Sequence, residues 1–87
     1  MSQGTLLTFP AEFPIKVMGR RDGELRALTQ AIIERHAGPL AVERIRERDS
    51  SDGTFLAITY TVLAQDQAQL DAIYTELTAC KAVLMAL

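Results

Sequence analysis

Nucleophilic or proton-transfer chemistry in this chain would fall first to Cys80 and His36, its single cysteine and single histidine. A catalytic thiol needs a partner base and an electropositive setting that lowers its pKa. Cys80 falls at the C-terminal end of a predicted helix, where the dipole disfavours a thiolate, so a small buried hydrophobe is the expected role. His36 falls at the end of a different predicted helix and reads as a helix-terminus residue. Carboxylates are plentiful, Glu24, Glu34, Glu43 and Glu47 among them, but no spacing sets two of them around a substrate. One cysteine and one histidine also fall short of the soft donor set of a structural zinc site. The expectation is a chain that is not an enzyme and that uses no metal and no cofactor.

Binding chemistry is better represented. Gly19-Arg20-Arg21-Asp22-Gly23 joins a predicted strand to a predicted helix, whose free N-terminal amides favour anions, and two arginines add to that field. The expected ligand-binding residues are therefore Gly19, Arg20, Arg21, Asp22 and Gly23. The bland reading is an exposed turn in which Asp22 caps the helix.

The elements that position these residues follow from periodicity. From Phe13 to Met18, Phe13, Ile15 and Val17 alternate with Pro14, Lys16 and Met18, the period of a strand with one buried face. Gly19 to Asp22 reads as a turn, and Leu25, Leu28 and Ile32 then recur at helical spacing up to about Ala37. Arg35 and His36 suit the helix C-terminus, Gly38 suits a left-handed cap, and Pro39 cannot continue the helix. Leu40 to Arg48 is a weaker, charge-rich strand marked by Val42 and Ile45. The turn formers Asp49 to Gly53 lead into Thr54 to Ala64, rich in β-branched and aromatic residues. Asp66 caps a second helix with Gln69 in the capping-box position, and Leu70, Ile73, Tyr74 and Leu77 form its stripe. The apolar run Ala82 to Leu87 closes the chain as a strand.

The order β-α-β-β-α-β, with right-handed crossovers, predicts an α+β, ferredoxin-like sandwich: a four-stranded antiparallel sheet ordered 4-1-3-2 with two helices on one face. Residues 1 to 9 read as a loose tail and residues 10 to 87 as one domain. Alternation puts Ile15, Val17, Ile58 and Tyr60 under the helices and leaves Lys16, Met18, Phe55, Thr59 and Thr61 on the open face. Arg44, Arg46 and Arg48 should line the margin of that face. RNA-recognition motifs share this topology but stack bases on several aromatics, and a single Phe55 makes a thin platform, so weak single-stranded RNA binding is the alternative reading and nucleic acid is not the expected partner.

The proposed edges contrast. Glu43 to Arg48 is densely charged and discourages strand pairing, whereas Ala82 to Leu87 carries no charged side chain. A homodimer through the C-terminal strand, with Leu84 in the contact, is one expectation; a strand from another protein, or residues 1 to 9 covering the edge, are the others.

Composition sets the class. A chain of 87 residues, 48% hydrophobic and 23% charged, fits one small globular domain. Its net charge of −2 gives no long-range pull on nucleic acid or an anionic membrane. The sequence has no signal-peptide pattern and no apolar run of membrane-spanning length, so a cytoplasmic location, with no membrane partner, is expected.

Several short motifs occur together. Phe9-Pro10, Phe13 and Lys16-Val17-Met18-Gly19 are followed by His36-Ala37, by Ser50-Ser51-Asp52-Gly53-Thr54-Phe55 and by Val83-Leu84-Met85-Ala86-Leu87. In this order they resemble the YbeD-like family of uncharacterised small bacterial proteins, over residues 9 to 87. The resemblance implies a fold like that of the ligand-binding regulatory ACT domains and a regulatory role linked to lipoate metabolism. Arg20-Arg21 is not part of the family opening. The expected function is a small cytosolic regulatory or adaptor domain that binds a protein partner or a small metabolite.

Overall fold

A computed structural model describes residues 8–21 and 23–87. Its elements are β1 (Ala11–Arg20), α1 (Leu25–Ala37), a single 3-10 turn (Val42–Arg44), β2 (Ile45–Asp49), β3 (Phe55–Ala64), α2 (Gln67–Ala79) and β4 (Met85–Ala86). The strands form one antiparallel sheet in the order β2-β3-β1-β4, the expected ferredoxin-like arrangement. The hairpin-sized partners β1 and β3 carry the sheet, pairing from Ala11↔Ala64 to Arg20↔Phe55.

The core lies between the sheet and the two helices. Ile15 and Val17 from β1 and Ile58, Tyr60, Val62 and Ala64 from β3 meet Leu25, Ile32 and Ile33 from α1 and Leu70, Ile73 and Leu77 from α2. The stripe of α1 differs from the sequence reading. Leu28 is 43% exposed, and the buried positions are Leu25, Thr29, Ile32 and Ile33. Thr29 can occupy the core because its hydroxyl is satisfied there: Oγ1 donates to the Leu25 carbonyl at 2.7 Å and lies 2.7 Å from the Tyr60 hydroxyl.

The ends of the elements show the local chemistry. Gly38 closes α1 at φ 84° and ψ 174°, a region open in practice to glycine alone, with its N–H on the Glu34 carbonyl at 2.9 Å. The Glu34 carboxylate then accepts from the Leu40 N–H, fixing the exit of the chain. Asp66 caps α2 as expected, accepting from the Gln69 N–H at 2.8 Å. The Gln69 side chain reaches back to the Gln65 N–H and also donates to the His36 carbonyl, tying the start of α2 to the end of α1. Asp22, the expected cap of α1, lies outside the described residues, as do residues 1 to 7 of the expected tail. Glu24 occupies the cap position of α1, its carbonyl accepting from the Leu28 N–H.

Three boundaries correct the sequence reading. β1 runs on through Gly19 and Arg20, which pair with Leu56 and Phe55, so these two are strand residues and not turn residues. The stretch from Leu40 does not enter the sheet until Ile45, because Val42 to Arg44 coil into a 3-10 turn closed by the Arg44 N–H on the Ala41 carbonyl. The last strand is short. Cys80 to Val83 first make a turn, and the edge then binds β1 through the Leu84 N–H on the Met18 carbonyl and reciprocal bonds between Leu87 and Lys16.

Candidate functional site

With both helices packed on one side, the other side of the sheet is left uncovered among the described residues. Its make-up follows from strict alternation. Lys16, Thr59 and Arg46 are register partners and form one row across β1, β3 and β2. Met18, Ala57 and Arg48 form the next, extended by Met85 on β4. Arg20 and Phe55 form a third, with the Arg20 guanidinium 6.0 Å from the centroid of the Phe55 ring, within reach of a cation–π contact. Lys16 is exposed, Met18, Phe55, Thr59 and Thr61 are half-buried, and Ile15, Val17, Ile58 and Tyr60 are fully buried. The register expected from the sequence therefore holds.

A depression of about 250 Å³ opens in the middle of this face, its floor made by the small residues Ala57 and Thr59 and its sides by Lys16, Arg46 and Arg48, with Glu47 at the rim. The cations here differ from four others of the protein, which are paired. Arg21 pairs with Asp49 at 2.7 Å, Arg26 with Glu47, Arg35 with Glu76, and Arg44 with Glu12 at 2.8 Å. Among the described residues, no carboxylate pairs with Lys16, Arg46 or Arg48. Alternation is the cause. Glu47 and Asp49 leave β2 on the side of α1, where Arg26 and Arg21 hold them, and Arg46 and Arg48 leave it on the open side.

The strand-to-helix connection is taken apart by the fold. Gly19 is buried in β1 with its Cα against the next segment: a Cβ there would lie 2.3 Å from the Ala82 carbonyl oxygen and 2.9 Å from Leu25 Cδ1. Arg20 joins the open face, and Arg21 turns to Asp49. Gly23, at φ 96°, is exposed. A second depression, of about 300 Å³, is lined by Arg21, Gly23, Leu25, Arg26, Glu47 and Leu56, but both of its arginines are neutralised by carboxylates. Leu84, also singled out in the sequence, is 60% exposed beside β4. Arg44 lies farther along the same face, beside Thr61 and Leu63, where it binds Glu12 and does not line the central depression.

His36 and Glu76 make a contact that the sequence reading did not anticipate. His36 Nε2 lies 2.6 Å from Glu76 Oε2, and Arg35 binds the other carboxylate oxygen, so the last turn of α1 is pinned to α2. The His36 hydrogen bond, foremost, holds the Glu76 carboxyl below the ordinary glutamate value of 4.5. A depressed carboxyl stabilises the fold above that ordinary value and ceases to do so as the pH falls through its own. Helix periodicity could not reveal the pair, which joins residues far apart in the chain. Cys80 is half-buried against the core, its N–H on the Leu77 carbonyl. Among the described residues no three His, Cys, Asp or Glu side chains cluster as metal ligands, and no helix is long and apolar enough to cross a membrane.

Comparison with known proteins agrees with this picture. Residues 4–87 match a family model described as "Protein of unknown function (DUF493)". The chain belongs to the DUF493 family. The resemblance to YbeD-like proteins is thereby borne out, and DUF493 relatives share most of the chain. A UPF0250 protein of Chromobacterium violaceum is 42% identical over 82 residues, covering 94% of this chain and 92% of its own. One from Pseudomonas aeruginosa is 43% identical over 82 residues, covering 93% and 88%. Among solved structures, the C-terminal domain of the MgtC protein from Mycobacterium tuberculosis superposes with a TM-score of 0.61 over 94% of this DUF493 chain and 89% of that one. At 15% identity the likeness is one of fold.

Proposed function

We propose that the protein is a small, non-catalytic regulatory or adaptor domain that works by docking a partner protein on the open face of its sheet. The observation that carries this reading is the uncovered face itself: Met18, Phe55, Ala57, Thr59 and Thr61 form a continuous surface on which no element of the described residues rests. A partner protein suits it better than a small metabolite, because pockets that enclose metabolites commonly run from about 300 to 1,000 Å³. The depression here, at about 250 Å³, falls just below that range and is open to solvent. Single-stranded RNA is less well served, since Phe55 is the one aromatic ring on this face among the described residues and Arg20 already lies against it. The link to lipoate metabolism rests on the family resemblance alone.

The test compares the immobilised protein with a Met18→Glu variant of matched melting temperature, each exposed to a bacterial lysate. Bound proteins are identified by mass spectrometry. A protein retained by the original chain and lost by the variant supports docking on this face. Identical retained sets would overturn it.

A further inference from the structure

We propose that the docked element is an acidic amphipathic helix of the partner protein, its carboxylates meeting Lys16, Arg46 and Arg48 and its apolar side chains meeting Met18 and Met85. The proposal rests on the open-face reading and names the chemistry of its occupant. Charge is the first argument. Lys16, Arg46 and Arg48 meet at this depression with no carboxylate partner among the described residues, whereas four other cations are paired, and the chain as a whole has a net charge of −2. The Thr59 hydroxyl between them is a further donor with no side-chain partner among the described residues. A surface of unpaired cations is complementary to a carboxylate-bearing ligand and opposed to the same face of a second copy of this chain.

Polarity across the sheet is the second argument. Arg46 and Arg48 lie on β2, whereas Met18 and Met85 pair across β1 and β4, where Lys16 is the one cation of the depression, and Met85 is 50% exposed. An occupant suited to this face is acidic along its β2 side and largely apolar along its β4 side, with one further acidic position for Lys16, and methionines adapt readily to such a surface.

Spacing is the third. Arg46 and Arg48 are two residues apart on one strand, about 7 Å, close to the rise of about 6 Å between helical positions i and i+4. Lys16 and Arg46 flank Thr59 from neighbouring strands, about 10 Å apart, comparable to the width of a helix. A helix laid over Ala57 and Thr59 would thus have cations on both sides, its glutamates at i and i+4 opposite Arg46 and Arg48.

The probe is a synthetic helical peptide with Glu at i, i+4 repeats and Leu and Met along the adjoining stripe, titrated into the 15N-labelled full chain. Expected are shifts of the Lys16, Arg46, Ala57 and Thr59 amides, and affinity that falls several-fold as salt rises from about 0.05 M to about 0.5 M. The double variant Arg46→Glu/Arg48→Glu, at positions with no ion pair to lose, should bind at least about ten-fold more weakly. Lys81→Glu, which removes an exposed cation away from this face, should leave affinity unchanged. Equal binding of a peptide with Lys in place of Glu would overturn the proposal, as would tighter binding of pyrophosphate or of a uridine dodecamer. If lysate capture depends on Met18 while the acidic peptide shifts none of these amides, the helix proposal fails and the open-face reading stands. If the peptide shifts map to α1 and α2 instead, both fail.

Discussion

Thr29 and Tyr60 show how far a single buried polar contact can be argued. Both are fully buried, and their hydroxyls lie 2.7 Å apart. The Thr29 proton goes to the Leu25 carbonyl, which leaves the Tyr60 O–H to donate to Thr29 Oγ1; its other acceptor, the Arg26 carbonyl, is distant at 3.4 Å. Burial, foremost, raises the Tyr60 hydroxyl above its ordinary pKa of 10.0, so the protein keeps it protonated. The two deletions are therefore unequal. Tyr60→Phe leaves Thr29 its bond to Leu25 and should cost about 0.5 to 1.5 kcal/mol. Thr29→Val strands a buried phenol and should cost more, about 1 to 3 kcal/mol. Urea denaturation of both variants checks the order, and equal costs, or a larger cost for Tyr60→Phe, would contradict it. Periodicity favoured Leu28 over Thr29 for the core because a polar residue carries no weight in a hydrophobic stripe; its partner across the sheet is visible only in the fold.

At the level of elements, alternation and capping were the strong signals. The faces of β1 and β3 were legible because period-2 patterning ran through both strands, and the ends of α1 and α2 were legible at Gly38 and Asp66, where the chain needs one particular chemistry. What escaped were boundaries set by neighbours. Gly19 looked like a turn glycine, yet it is a strand residue that must lack a side chain because the Ala82 carbonyl passes against it. Gly19→Ala would place its Cβ 2.3 Å from that oxygen, and backbone cannot swing aside as a side chain can. The turn leading to β4 must then move, with an expected loss of about 1 to 3 kcal/mol, the usual range for overpacking. Amide exchange should report it locally: the Leu84 and Leu87 amides, bonded to β1, should lose protection before those of β3. Uniform protection in the variant would show that Gly19 is not a required close approach. The candidate site had the same mixed fate. Lys16, Met18, Phe55, Thr59 and Thr61 came together as strand neighbours, while the connection from Gly19 to Gly23 was divided between the core, the open face and the Asp49 pair, a division that register imposes and local sequence does not record.

For the whole molecule, the two edges of the sheet decide how copies of the chain meet. The β2 edge is charged, and the β4 edge is apolar, with Leu84, Met85 and Leu87 between 50% and 62% exposed. Sequence alone suggested a strand from Ala82 to Leu87, long enough to extend the sheet into a partner. The observed β4 has two residues, because the turn after α2 takes Ala82 and Val83 and only Leu84 and Leu87 beside the strand add further bonds to β1. So short an edge offers few backbone hydrogen bonds, each worth about 0.5 to 1.5 kcal/mol net. The apolar side chains are already about half covered, so each retains about 1 kcal/mol of burial to gain. Against this stands an association cost of about 4 to 15 kcal/mol. Gain and cost are of similar size, so self-association no tighter than the order of 1 mM is expected. Light scattering should therefore report a monomer throughout the micromolar range, while NMR relaxation near millimolar concentration should show slower tumbling that Leu84→Lys abolishes. A dimer that persists at micromolar concentration would mean that more of the chain than the β4 edge takes part, and unchanged tumbling at the highest concentration would remove this edge as a contact between copies.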